Sequence, residues 1–134
     1  MMILLVEDDE RKMNQVVDYI SSKGAHYKVD VRRSYNSGLK AVMTSCYDLI
    51  LLDMSLPTFD VSAQAGGRPM AYAGRELLEK VARRKFDCKV SIITQFDYFG
   101  EGEDMKSLDQ LTCELVSDFG DIFLGTIYFS SLTD

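Results

Sequence analysis

Apolar positions fall along the chain in short solid runs that alternate with spaced, one-sided faces. Met2-Ile3-Leu4-Leu5-Val6 is a continuous apolar run that stops abruptly at Glu7-Asp8-Asp9. That is the pattern of a strand buried on both faces with a polar loop at its C-terminal end. Met13, Val16, Val17 and Ile20 then recur three and four apart, which predicts a helix ending near Gly24. Residues 27–32 alternate like a half-exposed edge strand. Leu39, Val42, Met43 and Cys46 mark a second helix, with Ser34 or Asn36 as its N-cap.

Leu49-Ile50-Leu51-Leu52 is a second solid strand, and it too ends in an acid, Asp53. Leu56-Pro57-Thr58-Phe59-Asp60 reads as a loop, and residues 61–73, with Gly66-Gly67-Arg68-Pro69 among them, show no usable period. Helical spacing resumes at Leu77, Leu78 and Val81 and runs out in Arg83-Arg84-Lys85, a solvated helix end whose charges suit the helix dipole. Val90-Ser91-Ile92-Ile93-Thr94 is a fourth strand, followed by an acidic loop from Phe96 to Asp104. Ser107 and Gln110 form a capping pattern before a helix carrying Leu108, Leu111, Leu115 and Val116, and Thr126 to Phe129 is a fifth strand.

Strict alternation of strands and helices predicts a flavodoxin-like, doubly wound α/β fold. Its five-stranded parallel sheet takes the order 2-1-3-4-5, with right-handed crossovers. Both faces of such a sheet need helices, and the last helix, due after strand five, is missing. Apolar positions on strands one, three and five are therefore expected to face water unless something covers them. A second copy of the chain, a partner, or a rearranged segment of its own would serve, a homodimer first among them.

Composition narrows the class further. At 134 residues the chain has the size of one domain, 1–134, able to bury about two-thirds of its unfolded surface. A net charge of -6 argues against non-specific binding to nucleic acid or an anionic membrane, both of which need a basic footprint. Cys46, Cys88 and Cys113 are far apart and read as buried reduced thiols of a cytosolic protein. A lone histidine, His26, leaves no His-rich metal site. No signal-peptide pattern opens the chain and no apolar run reaches membrane-spanning length, so a soluble, cytoplasmic protein is expected.

Three strands end in reactive polar residues: Glu7-Asp8 after the first, Asp53 after the third, and Thr94 on the fourth. In a parallel sheet these ends open onto one edge, and ligands bind where strand order reverses, between strands one and three. Glu7, Asp8 and Asp53 are thus expected to converge. Crowded carboxylates repel unless a cation sits among them, and an all-oxygen donor set suits Mg²⁺.

The segments Ile3 to Glu10, Asp48 to Pro57 and Val90 to Thr94 together resemble response-regulator receiver domains of two-component signalling. The resemblance spans the chain from the first strand to the fifth. It implies that Glu7 and Asp8 hold Mg²⁺ together with Asp53 and the backbone carbonyl of Ser55. It also implies that Asp53 is the phosphoacceptor and that Thr94 bonds the phosphoryl group and moves with the switch. A histidine kinase or phosphotransfer protein would be the donor. With no DNA-binding domain on the chain, a downstream protein would read the output, and the domain would be a signalling module rather than an enzyme.

The chain departs from the family pattern at three places. First, the lysine usual at the end of strand five is replaced by Phe129. Second, Gln95 stands where a small residue is usual, and Thr126 occupies the position of an aromatic switch residue. The third departure is an insertion, 61–73, between the Leu-Pro loop and helix three. Long loops in compact domains are commonly functional, and Arg68 within it is a candidate replacement for the missing lysine, since guanidinium suits phosphoryl oxygens. Two readings stay open: a working phosphoacceptor receiver, and a pseudo-receiver that binds protein without being phosphorylated.

Overall fold

The structure, a computed structural model, describes residues 1–59, 69–84 and 87–129. Five parallel strands form the central sheet: β1 (Met2–Val6), β2 (Lys28–Arg32), β3 (Leu49–Leu52), β4 (Lys89–Thr94) and β5 (Phe123–Tyr128). They lie in the order β2-β1-β3-β4-β5, which is the predicted topology. Between them run α1 (Glu10–Ser22), α2 (Tyr35–Thr44), α3 (Ala73–Arg84) and α4 (Leu108–Phe119). Val6 lies beside Leu52, Leu52 beside Ile92, and Thr94 beside Tyr128, so the C-terminal ends of the three middle strands sit level.

Alternation along the strands sorts the core into two layers. Leu4, Val6, Ile50, Leu52, Val90 and Ile92 face α2, α3 and α4, where Val42, Leu77, Leu78, Leu111 and Leu115 complete the larger cluster. Ile3, Leu5, Leu51 and Ile93 face the other way and pack with Val16 of α1. Two glycines let helices approach the sheet closely. A Cβ on Gly38 would lie 2.9 Å from a methyl of Val6, and one on Gly74 would lie 2.7 Å from the carbonyl oxygen of Asp53.

Ser34 is the N-cap of α2 and forms a reciprocal capping box with Ser37. Several expectations need correction. α2 ends at Thr44, which leaves Cys46 outside it, and only Cys88 of the three free cysteines is buried. Cys46 is exposed beyond the end of α2, and Cys113 is exposed on α4. Val116 is 52% exposed, pointing away from the stripe that Leu111 and Leu115 bury.

The expected insertion 61–73 also has narrower limits. Pro69–Met70 pairs antiparallel with Leu56–Pro57, and Ala73 is already the first residue of α3. Residues 60–68, Arg68 among them, lie outside the described residues. A second short antiparallel pair, Tyr98–Phe99 with Lys106–Ser107, closes the loop after β4. The Tyr72 hydroxyl lies 2.9 Å from the Phe99 carbonyl and 2.6 Å from that of Asp104, tying this loop to the start of α3.

Among the described residues no helix follows β5, and the α1 face of the sheet is open beside it. A groove of about 670 Å³ there is lined by Val16, Tyr19, Leu49, Leu51, Ile93, Ile127 and Phe129 among others. Exposure on this face falls at the β5 edge: Ile127 is 52% exposed. Of the positions expected to face water, Ile3 and Leu5 of strand one and Leu51 of strand three are instead buried, because α1 lies over them. No helix is long and apolar enough to cross a membrane among the described residues.

Candidate functional site

The ladder carries two acids one residue past the strands. Glu7 N–H donates to the Arg32 carbonyl at 2.9 Å, and Asp53 N–H donates to the Val6 carbonyl at 3.0 Å. Both backbones are therefore fixed at the sheet's C-terminal edge, side by side, on neighbouring strands. Asp8 follows on the rim, half-buried, while Glu7 is 1% and Asp53 4% exposed. Each of the three offers a carboxylate oxygen within 4.8 Å of the others. Asp53 Oδ1 accepts the Met54 N–H at 2.7 Å, which sets the side chain's orientation and leaves Oδ2 as the freer oxygen.

Into this cluster comes a residue that the pattern of the sequence did not single out. Lys12 is 2% exposed, with its ammonium 2.5 Å from Glu7 Oε1 and 3.3 Å from Asp53 Oδ2, and it donates to the Ile93 carbonyl at 2.8 Å. Asp9 brings it there. As N-cap of α1, Asp9 accepts the backbone N–H groups of Arg11 and Lys12, while its own N–H donates to Glu7 Oε2 at 3.1 Å. A signal was present: Lys12 stands four residues before Val16 and eight before Ile20, in line with the buried stripe of α1. A lysine there is also set against the positive end of the helix dipole. Such a cation is tolerated in the interior only where anions meet it.

These charges do not cancel. With all three ionised, the carboxylates would leave two negative charges against the one ammonium, the complement of a divalent cation. Glu7 Oε1 is buried, and its near partner is the Lys12 ammonium. An all-oxygen set of this kind with a net double negative charge fits Mg²⁺.

Burial, reinforced by the charge of Asp53, pushes the Glu7 carboxyl up to about 8 from its ordinary 4.5, against the opposing pull of Lys12. Asp8 is raised as well, by burial first and Asp53 second. The folded protein therefore binds the Glu7 proton more tightly than the unfolded chain. That contribution to stability is fully present below about pH 4.5 and is lost as the pH rises through about 8. In EDTA, melting temperature is expected to fall between pH 5 and 8.5, and millimolar Mg²⁺ should restore it at the alkaline end. Glu7→Gln should flatten the profile, gaining about 2 kcal/mol, or roughly 6 °C, at pH 8, and should remove the response to Mg²⁺. An unchanged slope in that variant would place the buried proton elsewhere.

The remaining predicted site residues are placed as follows. Thr94 is fully buried at the end of β4, and its hydroxyl accepts the Phe96 N–H at 3.2 Å. Ser55 follows Asp53 by two residues and is half-buried. Gln95 is half-buried next to Thr94. Phe129 donates its backbone N–H to the Thr94 carbonyl at 2.7 Å, while its ring packs with the α1-face cluster. Thr126, at the expected switch position, shares a 2.8 Å hydrogen bond with Thr112 of α4.

A parallel sheet in this order, with clustered acids at the reversal of strand order, defines a receiver-type domain. The chain belongs to the response-regulator receiver family, whose members are modules of two-component signalling. It is 31% identical over 132 residues to protein y4jR of Sinorhizobium fredii, covering 97% of this chain and 87% of that one. It is 27% identical over 132 residues to the Detocs response regulatory protein DtcB of Enterobacter cloacae, covering 96% and 88%. Among solved structures it is similar to the response regulator TrrA of Thermotoga maritima, in complex with Mg²⁺ and BeF. The TM-score is 0.64 at 19% identity, over 99% of this chain and 90% of that one. A receiver domain from Methanospirillum hungatei gives the same TM-score at 21% identity, over 95% and 79%. No protein-family model matches the chain.

Proposed function

We propose that the chain accepts a phosphoryl group on Asp53 from a histidine kinase or phosphotransfer protein and passes the signal on by protein contact. The observation that carries this reading is the convergence of Glu7, Asp8 and Asp53 at the reversal of strand order, with Asp53 Oδ2 free of backbone hydrogen bonds among the described residues. Glu7, Asp8 and Asp53, with the Ser55 carbonyl, would hold Mg²⁺. Bound there, the ion would supply neutralisation of the charge that gathers as the phosphoryl group approaches.

The chain's own residues supply the rest. The backbone of β3 and the Met54 N–H hold the Asp53 carboxylate in place. Its oxygen forms a new bond to phosphorus as the donor's phosphorus–nitrogen bond breaks, and the bonding pair leaves with the donor imidazole. The acyl phosphate adds roughly 1.5 to 2 negative charges at the β3 end. Thr94, one strand over, would turn its hydroxyl from the Phe96 N–H toward that charge and draw the loop after β4 with it. Because Tyr72 ties this loop to α3, the shift would reach the surface formed by α3 and α4, where a downstream protein would read it.

A phosphodonor of low molecular weight tests this. Intact-mass analysis after treatment with acetyl phosphate should show one added phosphoryl group with millimolar Mg²⁺ and none in EDTA, on the peptide containing Asp53. Absence of labelling from both acetyl phosphate and candidate kinases would favour the second reading, a pseudo-receiver that binds protein without phosphorylation. The ion pair of Lys12 with Glu7 and Asp53 is what favours that alternative, since it partly neutralises the pocket from within.

A further inference from the structure

We propose that Lys12, in the first turn of α1, is the cation that binds the phosphoryl oxygens on Asp53, reaching the site from the helix instead of from strand five. This rests on the reading of Asp53 as phosphoacceptor and adds to it the group that stabilises the transferred charge. Just past the end of β5, the residue whose N–H bonds the Thr94 carbonyl carries an aromatic ring, Phe129, packed into the α1-face cluster. Lys12 enters from that same face, where its stem lies in the buried stripe with Val16, and its ammonium already reaches Asp53 Oδ2 at 3.3 Å. The chain thus carries its apolar residue on the strand and its cation on the helix.

A buried lysine at this place is costly to keep: it is desolvated, and it opposes the dipole of α1. An apolar residue would complete the stripe, and a solvent cation could neutralise the acids. What a tethered ammonium adds is a charge that stays at Asp53 Oδ2 when the group there becomes more negative. Its three donors are engaged by Glu7, Asp53 and the Ile93 carbonyl. As the Asp53 carboxylate becomes an acyl phosphate, the bond aimed at Oδ2 passes to a phosphoryl oxygen, while the Ile93 carbonyl keeps the ammonium in position. No proton moves in this step. The Asp53 oxygen–phosphorus bond forms, the donor's bond to phosphorus breaks, and the electron pair leaves with the donor. The two negative charges left by the carboxylates and Lys12 still admit Mg²⁺ beside it.

Acetyl phosphate labelling with Mg²⁺, followed over time by intact mass, tests the assignment in wild type, Lys12→Met, Arg68→Ala and the double variant Lys12→Met/Phe129→Lys. Lys12→Met is expected to slow labelling roughly a hundredfold, the usual consequence of removing one donor to a developing oxyanion. The double variant, which returns a cation to strand five, should recover most of the rate; a purely structural role for Lys12 would give no such rescue. If Lys12→Met is unfolded at the assay temperature, the double variant alone decides. Labelling by it supports the proposal, and a folded double variant that takes no label overturns it. Lys12→Met labelling at the wild-type rate overturns the proposal while leaving the phosphoacceptor reading intact, as does loss of labelling in Arg68→Ala in its place. Wild type that takes no phosphoryl group removes both readings.

Discussion

Replacing Asp53 with asparagine is expected to abolish phosphoryl incorporation altogether, with no residual labelling at Glu7 or Asp8. Asparagine keeps the shape of the side chain, and its amide oxygen can still accept the Met54 N–H that Asp53 Oδ1 accepts now. What it loses is the nucleophilic charged oxygen. Glu7 is not a substitute, since its carboxyl is buried and favours its proton, and Asp8 sits on the rim without the backbone bond that orients Asp53. The same variant should be more stable than wild type at pH 8 in EDTA by roughly 1 kcal/mol, the worth of about one pKa unit. The reason lies in the electrostatics of Glu7: the charge of Asp53 is the second cause of its raised pKa, so removing that charge lets Glu7 ionise at lower cost. Intact-mass analysis reads the first effect and thermal melts at pH 5 and pH 8 read the second. Labelling that persists in Asp53→Asn would move the acceptor to another residue.

Gly74→Ala should destabilise the protein by about 2 kcal/mol, although alanine is the better helix former by about 1 kcal/mol. The new Cβ would lie 2.7 Å from the Asp53 carbonyl oxygen and 3.0 Å from the Met54 Cα. Both are backbone atoms of the segment that carries the acceptor, so neither can rotate aside, and steric cost outweighs propensity. The Gly74 N–H also donates to the Met54 carbonyl at 2.9 Å, and a displaced α3 would lengthen that bond and shift Asp53 with it. Labelling should therefore slow along with the loss of stability. Gly38→Ala provides the comparison: its Cβ would press on the methyls of Val6, which belong to a side chain able to adjust, so a smaller loss is expected. Equal melting temperatures for Gly74→Ala and wild type would show that α3 has room to move away from β3.

The elements of the sheet were legible because two kinds of burial leave two kinds of pattern. Strands covered on both faces, such as Leu49–Leu52, must be apolar throughout, while α1 and α3 show spaced apolar positions. Ser34 was readable as a cap because a hydroxyl before a helix has a donor to satisfy. The acids Glu7, Asp8 and Asp53 were legible for a related reason. Each interrupts or follows an apolar run where the strand ends, and topology alone brings those ends together.

Other features depended on contacts between distant segments. The short strand pairs Leu56–Pro57 with Pro69–Met70 and Tyr98–Phe99 with Lys106–Ser107 are two residues long on each side, too short for alternation to mark them. Exposure of Cys46, Cys113 and Val116 reflects where helices end and which way they turn, which composition does not encode. The open groove, expected along strands one, three and five, leaves out strand one, because the extent to which α1 covers the sheet is set by packing of Val16 and Ile20 against Ile3 and Leu5.

The sequence by itself determined the strand order and the edge of the sheet at which the acids meet, since hydrophobic period and crossover handedness leave little choice. It also determined that strand five lacks its cation. Where the compensating charge lies was decided by tertiary structure alone. A lysine in a helical pattern reads as a solvated residue, and although Lys12, unlike Arg11, stands in line with Val16 and Ile20, that spacing names no partner for its charge. Only when α1 is laid on β1 and β4, with Asp9 fixing its first turn, does one of the two side chains point inward. It then finds Glu7, Asp53 and the Ile93 carbonyl within reach. Electrostatic pairing acts through space, and its partners here lie up to 81 positions away along the chain.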